Sequence, residues 1–529
     1  MVDSFIMHIL LTFFFLFVVL PSSSQELFRC LENNENVIIP NGGTIKLFPS
    51  ATWIDEERSK CVKIFQESPY QKTSPLLYNR YGWWQLERGE NEYTFDDVLG
   101  PLLKSAIGQH ARVIIGLASM CAESSGMSHE YKGKIIAVPD YLCDRLNDSD
   151  FPMLEDNQFC NGKIGYSVDY DSPIVYEHYS KLIKAFRTWL KGRIEGTKLR
   201  RSDVVYAIEM RHLGYWGEGA VWWKLRPKTS LINKYIELYL KEFPNKLLIG
   251  SIHSTHDLPN YKGDEMSNYS QEDIAMMRYN YKVLTSSNNA GRIGGFIDSW
   301  MPNSDQYDVI SKRVLMDDEG RIIYLSDFLT KNYWGKVYLT GEFGYLIKAN
   351  NKQYVPYQFV GEQFGIRAMS GISATNLTAR FLSNGKYYPL KEDVYYNVLN
   401  ALSLVGYRIV LNSIKIEKRC RWYEVTFGLK NIGTSGIFHN YYEMHILTKN
   451  DSETIINDVR IPFDFRRFKG IKYQESEEGE NELRVSCKIP NKKGKIYLLI
   501  KDIFDIEYPM TLSNYGRMAD GSYYIGKID

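Results

Sequence analysis

The stretch YEHYSKLIKAFRTWLKGRI, Tyr176 to Ile194, is followed shortly by VVYAIEMRH, Val204 to His212. The first run places Tyr179, Leu182, Ile183, Phe186, Leu190 and Ile194 at the spacing of one helical face. The second is short, continuously apolar and rich in β-branched and aromatic residues, which is how a strand buried on both faces reads. A helix leading into such a strand is part of a βαβ unit, whose strands run parallel.

The same alternation extends in both directions. Upstream lie TIKLFPS (Thr44 to Ser50), SPLLYNRYGW (Ser74 to Trp83) and RVIIGLAS (Arg112 to Ser119). Downstream lie KLLIGSIH (Lys246 to His253), RIGGFIDSW (Arg292 to Trp300), KVYLTGEFG (Lys336 to Gly344) and GISATNLT (Gly371 to Thr378). A second amphipathic run, LINKYIELYLKEF (Leu231 to Phe243), precedes one of them. Eight short runs separated by helical stretches predict an α/β fold, a (β/α)8 TIM barrel over residues 25–404. A doubly wound open sheet is the alternative, although no G-x-G-x-x-G follows the first strand and no cofactor is expected. From about Gly406 the texture changes to strand-like runs with turn signals such as NKKGK, which predicts a C-terminal antiparallel β-sandwich domain over residues 405–529.

At the start of the chain, ILLTFFFLFVVL (Ile9 to Leu20) followed by PSSSQ reads as a signal peptide, residues 1–24, of a secreted or periplasmic protein. No later run is apolar enough to predict a transmembrane segment in the mature chain. In an oxidising compartment Cys143 with Cys160, and Cys420 with Cys487, are the expected disulfides by local position. No C-x-x-C spacing occurs, so no metal site is predicted. A net charge of +1 argues against a nucleic-acid partner. The aromatic content of 14% suits both a large core and a sugar-stacking cleft, so it does not choose between them.

Barrel active sites lie at the C-terminal ends of the strands. The polar and aromatic residues there are Arg80, Trp83, Glu209, Arg211, His212, His253, His256, Asp298, Trp300, Glu342, Tyr345 and Asn376. Glu342 ends the seventh run between Gly341 and Phe343 and is a candidate catalytic carboxylate. Glu218, in the loop LGYWGEG (Leu213 to Gly219), is a second. Aromatic neighbours such as Trp216 would desolvate it and raise its pKa, as a general acid requires. Glu209 is the alternative acid/base, or with Arg211 a buried pair, since period two puts both on one side of the strand. Two carboxylates across a cleft are the requirement of glycoside hydrolysis, with a carbohydrate as substrate.

The segment NRYGWWQLERGENEYTFDDVLGPLLKSAIGQHARVIIGLA (Asn79 to Ala118) resembles the second-strand region of clan A glycoside hydrolases, in particular family 42 β-galactosidase-like secreted bacterial proteins. Trp83, Leu86, Glu87, Tyr93 and Phe95 carry that resemblance, with VPDYL (Val138 to Leu142), GYWGEG (Gly214 to Gly219) and GYRIVL (Gly406 to Leu411) in the same order. The resemblance implies a retaining mechanism with Glu342 as nucleophile and a β linkage in the substrate. Where the clan usually shows Asn-Glu at the end of the fourth strand, this chain has EMRHLGYWGEG (Glu209 to Gly219). A non-catalytic glycan-binding protein, or a surface scaffold using the sandwich, are the other readings.

Overall fold

The computed structural model describes residues 76–119, 127–146, 153–156, 165–214, 217, 226–251, 258–289, 292–297, 312–333, 337–345, 407, 409–432, 435–469 and 482–528, together with the backbone of short strands at 46–47, 374–380, 382–383 and 386–387. All eight runs expected to be strands fall into one parallel sheet. They are β1 (Lys46–Leu47), β2 (Leu76–Gly82), β3 (Arg112–Ala118), β4 (Val205–Glu209), β5 (Leu247–Ser251), β6 (Ile293–Ile297), β7 (Leu339–Tyr345) and β8 (Ala374–Arg380). Each pairs with the strand next to it in sequence, so the spatial order is the chain order. A sheet wound in one direction needs its crossovers on one side, because right-handed βαβ units all turn the same way. A doubly wound sheet would reverse its order part-way, and this one does not.

The helices confirm that sense of winding. α1 (Phe95–Gly108), α2 (Pro173–Leu190), α3 (Thr229–Glu242) and α4 (Gln271–Asn289) lie in the connections between β2 and β6. α2 starts where Ser172 caps it, its hydroxyl accepting from the Val175 N–H, with Pro173 at the first helical position. Leu99, Leu102 and Leu103 of α1, Leu182, Ile183 and Phe186 of α2, and Ile236 and Tyr239 of α3 share one core with Leu77, Val113, Ile115, Ile208 and Leu248 of the strands. On the opposite face of the same strands Leu76, Ile114, Tyr206, Ala207, Ile249, Phe296 and Tyr338 form a separate apolar cluster. The register of β3 with β4 shifts between Val205 and Ala207, which is why the consecutive residues Tyr206 and Ala207 both reach that cluster.

The C-terminal part forms two antiparallel sheets. One contains β9 (Ile409–Lys418), β10 (Trp422–Asn431) and β13 (Glu482–Pro490). The other contains β11 (Tyr442–Lys449), β12 (Ile455–Ile461), β14 (Gly494–Asp502) and β15 (Tyr523–Ile528). Leu411, Ile414, Phe427 and Ile489 of the first meet Met444, Ile446, Leu498 and Ile525 of the second in one core.

This part is joined to the amino ends of the parallel strands. Arg112, the first residue of β3, is fully buried between Asp502 (2.8 Å) and Glu507, with its guanidinium 4.1 Å from the Tyr441 ring centroid. Lys246, just before β5, donates to the Val205 carbonyl (2.8 Å) and the Tyr441 hydroxyl (3.3 Å). Phe438 and Tyr441 pack against the apolar cluster on the face opposite the helices, and His439 meets the Tyr206 ring at 5.0 Å. The amino ends of the strands are therefore covered, which leaves the carboxyl ends for chemistry.

The expected Cys420–Cys487 disulfide does not form. Cys420 and Cys487 are free thiols. Cys487 lies opposite Val425 in the β10–β13 ladder, and Cys420 is five positions back from Val425, in the turn before β10. At about 3.4 Å per residue that is roughly 17 Å, far beyond the ~7 Å between Cα atoms that a disulfide spans. Cys143 is buried in the helix Asp140–Leu146, its Sγ 3.0 Å from Met153 Sδ. The signal sequence, Cys160 and Glu218 lie outside the described residues. Among the described residues no helix is long and apolar enough to cross a membrane.

Candidate active site

The carboxyl end of the sheet face opposite the helices carries charge directly above the apolar cluster. Arg80 lies two residues before the end of β2, Glu209 ends β4, and Arg211 follows two residues later. All three are buried, Glu209 and Arg211 to 1% exposure and Arg80 to 9%. Arg211 grips Glu209 with two parallel hydrogen bonds, Nε to Oε2 at 2.8 Å and Nη2 to Oε1 at 3.3 Å. That fork geometry is the strong, directional form of an arginine–carboxylate pair. The Arg211 guanidinium lies 3.8 Å from the Phe296 ring centroid, and that of Arg80 lies 5.0 Å from the same ring. One aromatic ring on β6 thus contacts both cations.

The three side chains converge over Gly116 of β3. A Cβ at that position would sit 2.9 Å from Arg211 Cγ, 3.1 Å from Arg80 Cγ and 3.1 Å from Glu209 Oε2. Glycine is needed there because the charged cluster fills the space a side chain would take. Gly116 is absent from the residues the sequence singles out, although a glycine inside the apolar run VIIGLA signals a close approach. Phe296 was missed too, and its role has no sequence signal beyond lying two residues from Asp298.

The other site residues divide by position. Period two sends Met210 and His212 to the side of β4 opposite Glu209 and Arg211. His212 accordingly lies among the helices, stacked on Tyr179 of α2 at 3.7 Å between centroids and 4.4 Å from Tyr235 of α3. Burial pushes its imidazole down to about 3, so it is neutral. Trp83 is fully buried in a short helix (Trp83–Leu86) rather than at a strand end. Its Nε1 donates to Glu87 Oε2 at 2.7 Å and its ring meets Tyr179 edge-on. Burial, opposed by that bond, raises the Glu87 carboxyl. The structure therefore brings Arg80, Glu209 and Arg211 together and puts Trp83 and His212 behind the sheet.

Glu342 and Tyr345 lie on β7, where position 342 pairs with Thr378 of β8. Glu218, Trp216, His253, Asp298 and Trp300 fall outside the described residues. Among the described residues no group of three or more His, Cys, Asp or Glu is arranged to hold a metal ion.

No protein-family model and no curated protein sequence matches the chain. Among solved structures it is similar to the catalytic domain of β-amylase from Paenibacillus polymyxa, with 11% identity, a TM-score of 0.33, and coverage of 68% of this chain and 97% of that one. It is also similar to endo-glycoceramidase II from Rhodococcus sp., with 9% identity, a TM-score of 0.38, and coverage of 87% and 99%. A family 39 glycoside hydrolase from Bacteroides cellulosilyticus gives 9% identity, a TM-score of 0.37, and coverage of 80% and 79%. Likeness at this level carries no argument about activity, which has to come from the site itself.

Proposed function

We propose that the chain is an exported glycoside hydrolase whose parallel sheet closes into a (β/α)8 barrel, with the C-terminal part a β-sandwich. The observation that carries this reading is the buried Arg80–Glu209–Arg211 cluster at the carboxyl ends of the strands, above an apolar floor and opposite the covered amino ends. Carboxyl ends of parallel strands are where such a fold places its chemistry.

Tyr338 packs in the apolar floor, and positions 340 and 342 follow it at period two along β7. Glu342 is on that basis assigned as the nucleophile. Both oxygens of Glu209 are engaged by Arg211, so Glu209 is assigned to hold Arg211 and Glu218 to supply the acid/base. In the first step Glu218 donates a proton to the glycosidic oxygen while Glu342 attacks the anomeric carbon and the leaving sugar departs. In the second, water gives its proton to Glu218 and displaces Glu342 from that carbon. Arg80 and Arg211 bind hydroxyls beside the nucleophile, and Trp216, His253, Asp298, Trp300 and Tyr345 line the cleft. Retaining chemistry of this kind requires the two carboxyl groups to stand about 5 Å apart.

The test is hydrolysis of a panel of aryl β-glycosides by the mature protein, by Glu342→Gln and by Glu218→Gln. Turnover should fall at least about a thousandfold in Glu342→Gln for every substrate. In Glu218→Gln the loss should be largest for poor leaving groups, which need the proton most. Full activity in Glu342→Gln would refute the assignment. Glycan binding without turnover in any of the three proteins would favour a binding protein, a reading consistent with a Glu209 whose oxygens are already taken.

A further inference from the structure

Behind the sheet, on the helix side of β4, two buried polar side chains share a cavity. His212 is 2% exposed and Tyr235 is 5% exposed. Neither ring nitrogen of His212, nor the Tyr235 hydroxyl, has a hydrogen-bond partner among the described residues. Buried polar atoms are almost always paired, so three unpaired ones in one place point to a ligand. Both residues line a cavity of about 80 Å³ whose walls also include Gly217, Ile232, Ser251 and Tyr279.

We propose that this cavity binds a small neutral polyol of about the size of glycerol, held by His212 and Tyr235. The volume is several times what one water requires and about half that of a cavity that admits benzene. The polar groups offered are an imidazole kept neutral by its burial and a phenol, each able to donate and to accept. The remaining walls are mostly aromatic and aliphatic, with Ser251 and Ser287 among them. A molecule that alternates hydroxyl and C–H surface matches both. Arg226 also lines the cavity, but its guanidinium lies over the Tyr279 ring, 5.5 Å from the centroid. The site is connected to the charged cluster, because Gly217 lines the cavity and its carbonyl accepts from Arg211 Nη1 at 3.4 Å. An occupant would brace the residue that precedes Glu218. The binding itself stands apart from the glycosidase reading, since it is measured without turnover.

The experiment uses the full chain with glycerol as probe. Saturation-transfer NMR reports binding in solution, and crystals grown without polyols and then soaked report the position. The expected result is glycerol in the cavity, bonded to His212 and Tyr235, with transfer in solution. His212→Phe and Tyr235→Phe should each weaken binding about tenfold, the effect of one lost hydrogen bond. Ile232→Phe, which narrows the cavity without touching either polar group, should do the same and keeps the test open if the His212 variant does not fold. Four results would overturn the proposal: ordered water only, glycerol at crystal concentration only, formate bound in preference, or transfer unchanged in folded variants.

Discussion

Replacing His212 by phenylalanine should change how stability depends on pH, and by an amount that follows from its burial. The ring is 2% exposed, stacked on Tyr179, and holds its proton only near pH 3 because charging it would require desolvating the cation. An unfolded imidazole takes up a proton below about pH 6.5. Between those values the unfolded chain binds more protons than the folded one, so stability is complete above pH 6.5 and falls as pH is lowered towards 3. At pH 4.5 the imbalance amounts to about 3 kcal/mol for this one residue, and at pH 5.5 to about 1 kcal/mol. Phenylalanine keeps the aromatic stack and removes the titration. The unfolding free energy of His212→Phe relative to the parent should therefore rise by about 2–3 kcal/mol between pH 7 and pH 4.5. His439, whose imidazole burial and the nearby Arg112 and Lys246 also hold well below its ordinary value, is present in both proteins and cancels. Urea unfolding at pH 7.0, 5.5 and 4.5, in buffers free of polyols, measures the difference. A difference that stays constant across the three values would mean that the ring is hydrated or hydrogen-bonded in solution, and would refute the burial argument together with the cavity assignment.

Arg112→Met should cost about 3–5 kcal/mol, because it strips the cation from two carboxylates that remain buried, Asp502 and Glu507. A urea midpoint giving a loss below about 1 kcal/mol would show that the joint between the two parts is looser than its contacts imply. Gly116→Ala should destabilise by about 1–3 kcal/mol, since its methyl would crowd Arg211, Arg80 and Glu209 together. A thermal melt no lower than that of the parent would contradict that crowding. At Asp520 burial raises the carboxyl, but bonds from Lys449 and Ser522 outweigh it and hold the group at about 2. Its contribution is present above the unfolded carboxylate range near pH 4 and is lost as the pH falls towards 2. Because the side chain is 43% exposed, screening limits the effect of Asp520→Asn to under about 1 kcal/mol at pH 7. The gap between parent and variant should close in melts recorded at successively lower pH.

The sequence by itself determined the parallel sheet. Eight short apolar runs became eight strands in chain order, because a strand buried on both faces must be apolar throughout and that requirement is written locally. The face of α2 was equally legible, with Tyr179, Leu182, Ile183 and Phe186 all buried. It also put Glu209 and Arg211 on one side, and the same period-two rule, applied two positions at a time, assigns His212 to the other. What only the tertiary structure decided was what each side meets. Arg80 and Gly116 lie far from Glu209 in the chain, and they come together only when β2, β3 and β4 pair in register. Trp83 looked like a cleft residue because its strand ends there, yet a helical turn carries it into the core. The expected Cys420–Cys487 bridge failed for the same kind of reason, since proximity in a β ladder follows register, and register depends on which strands find each other.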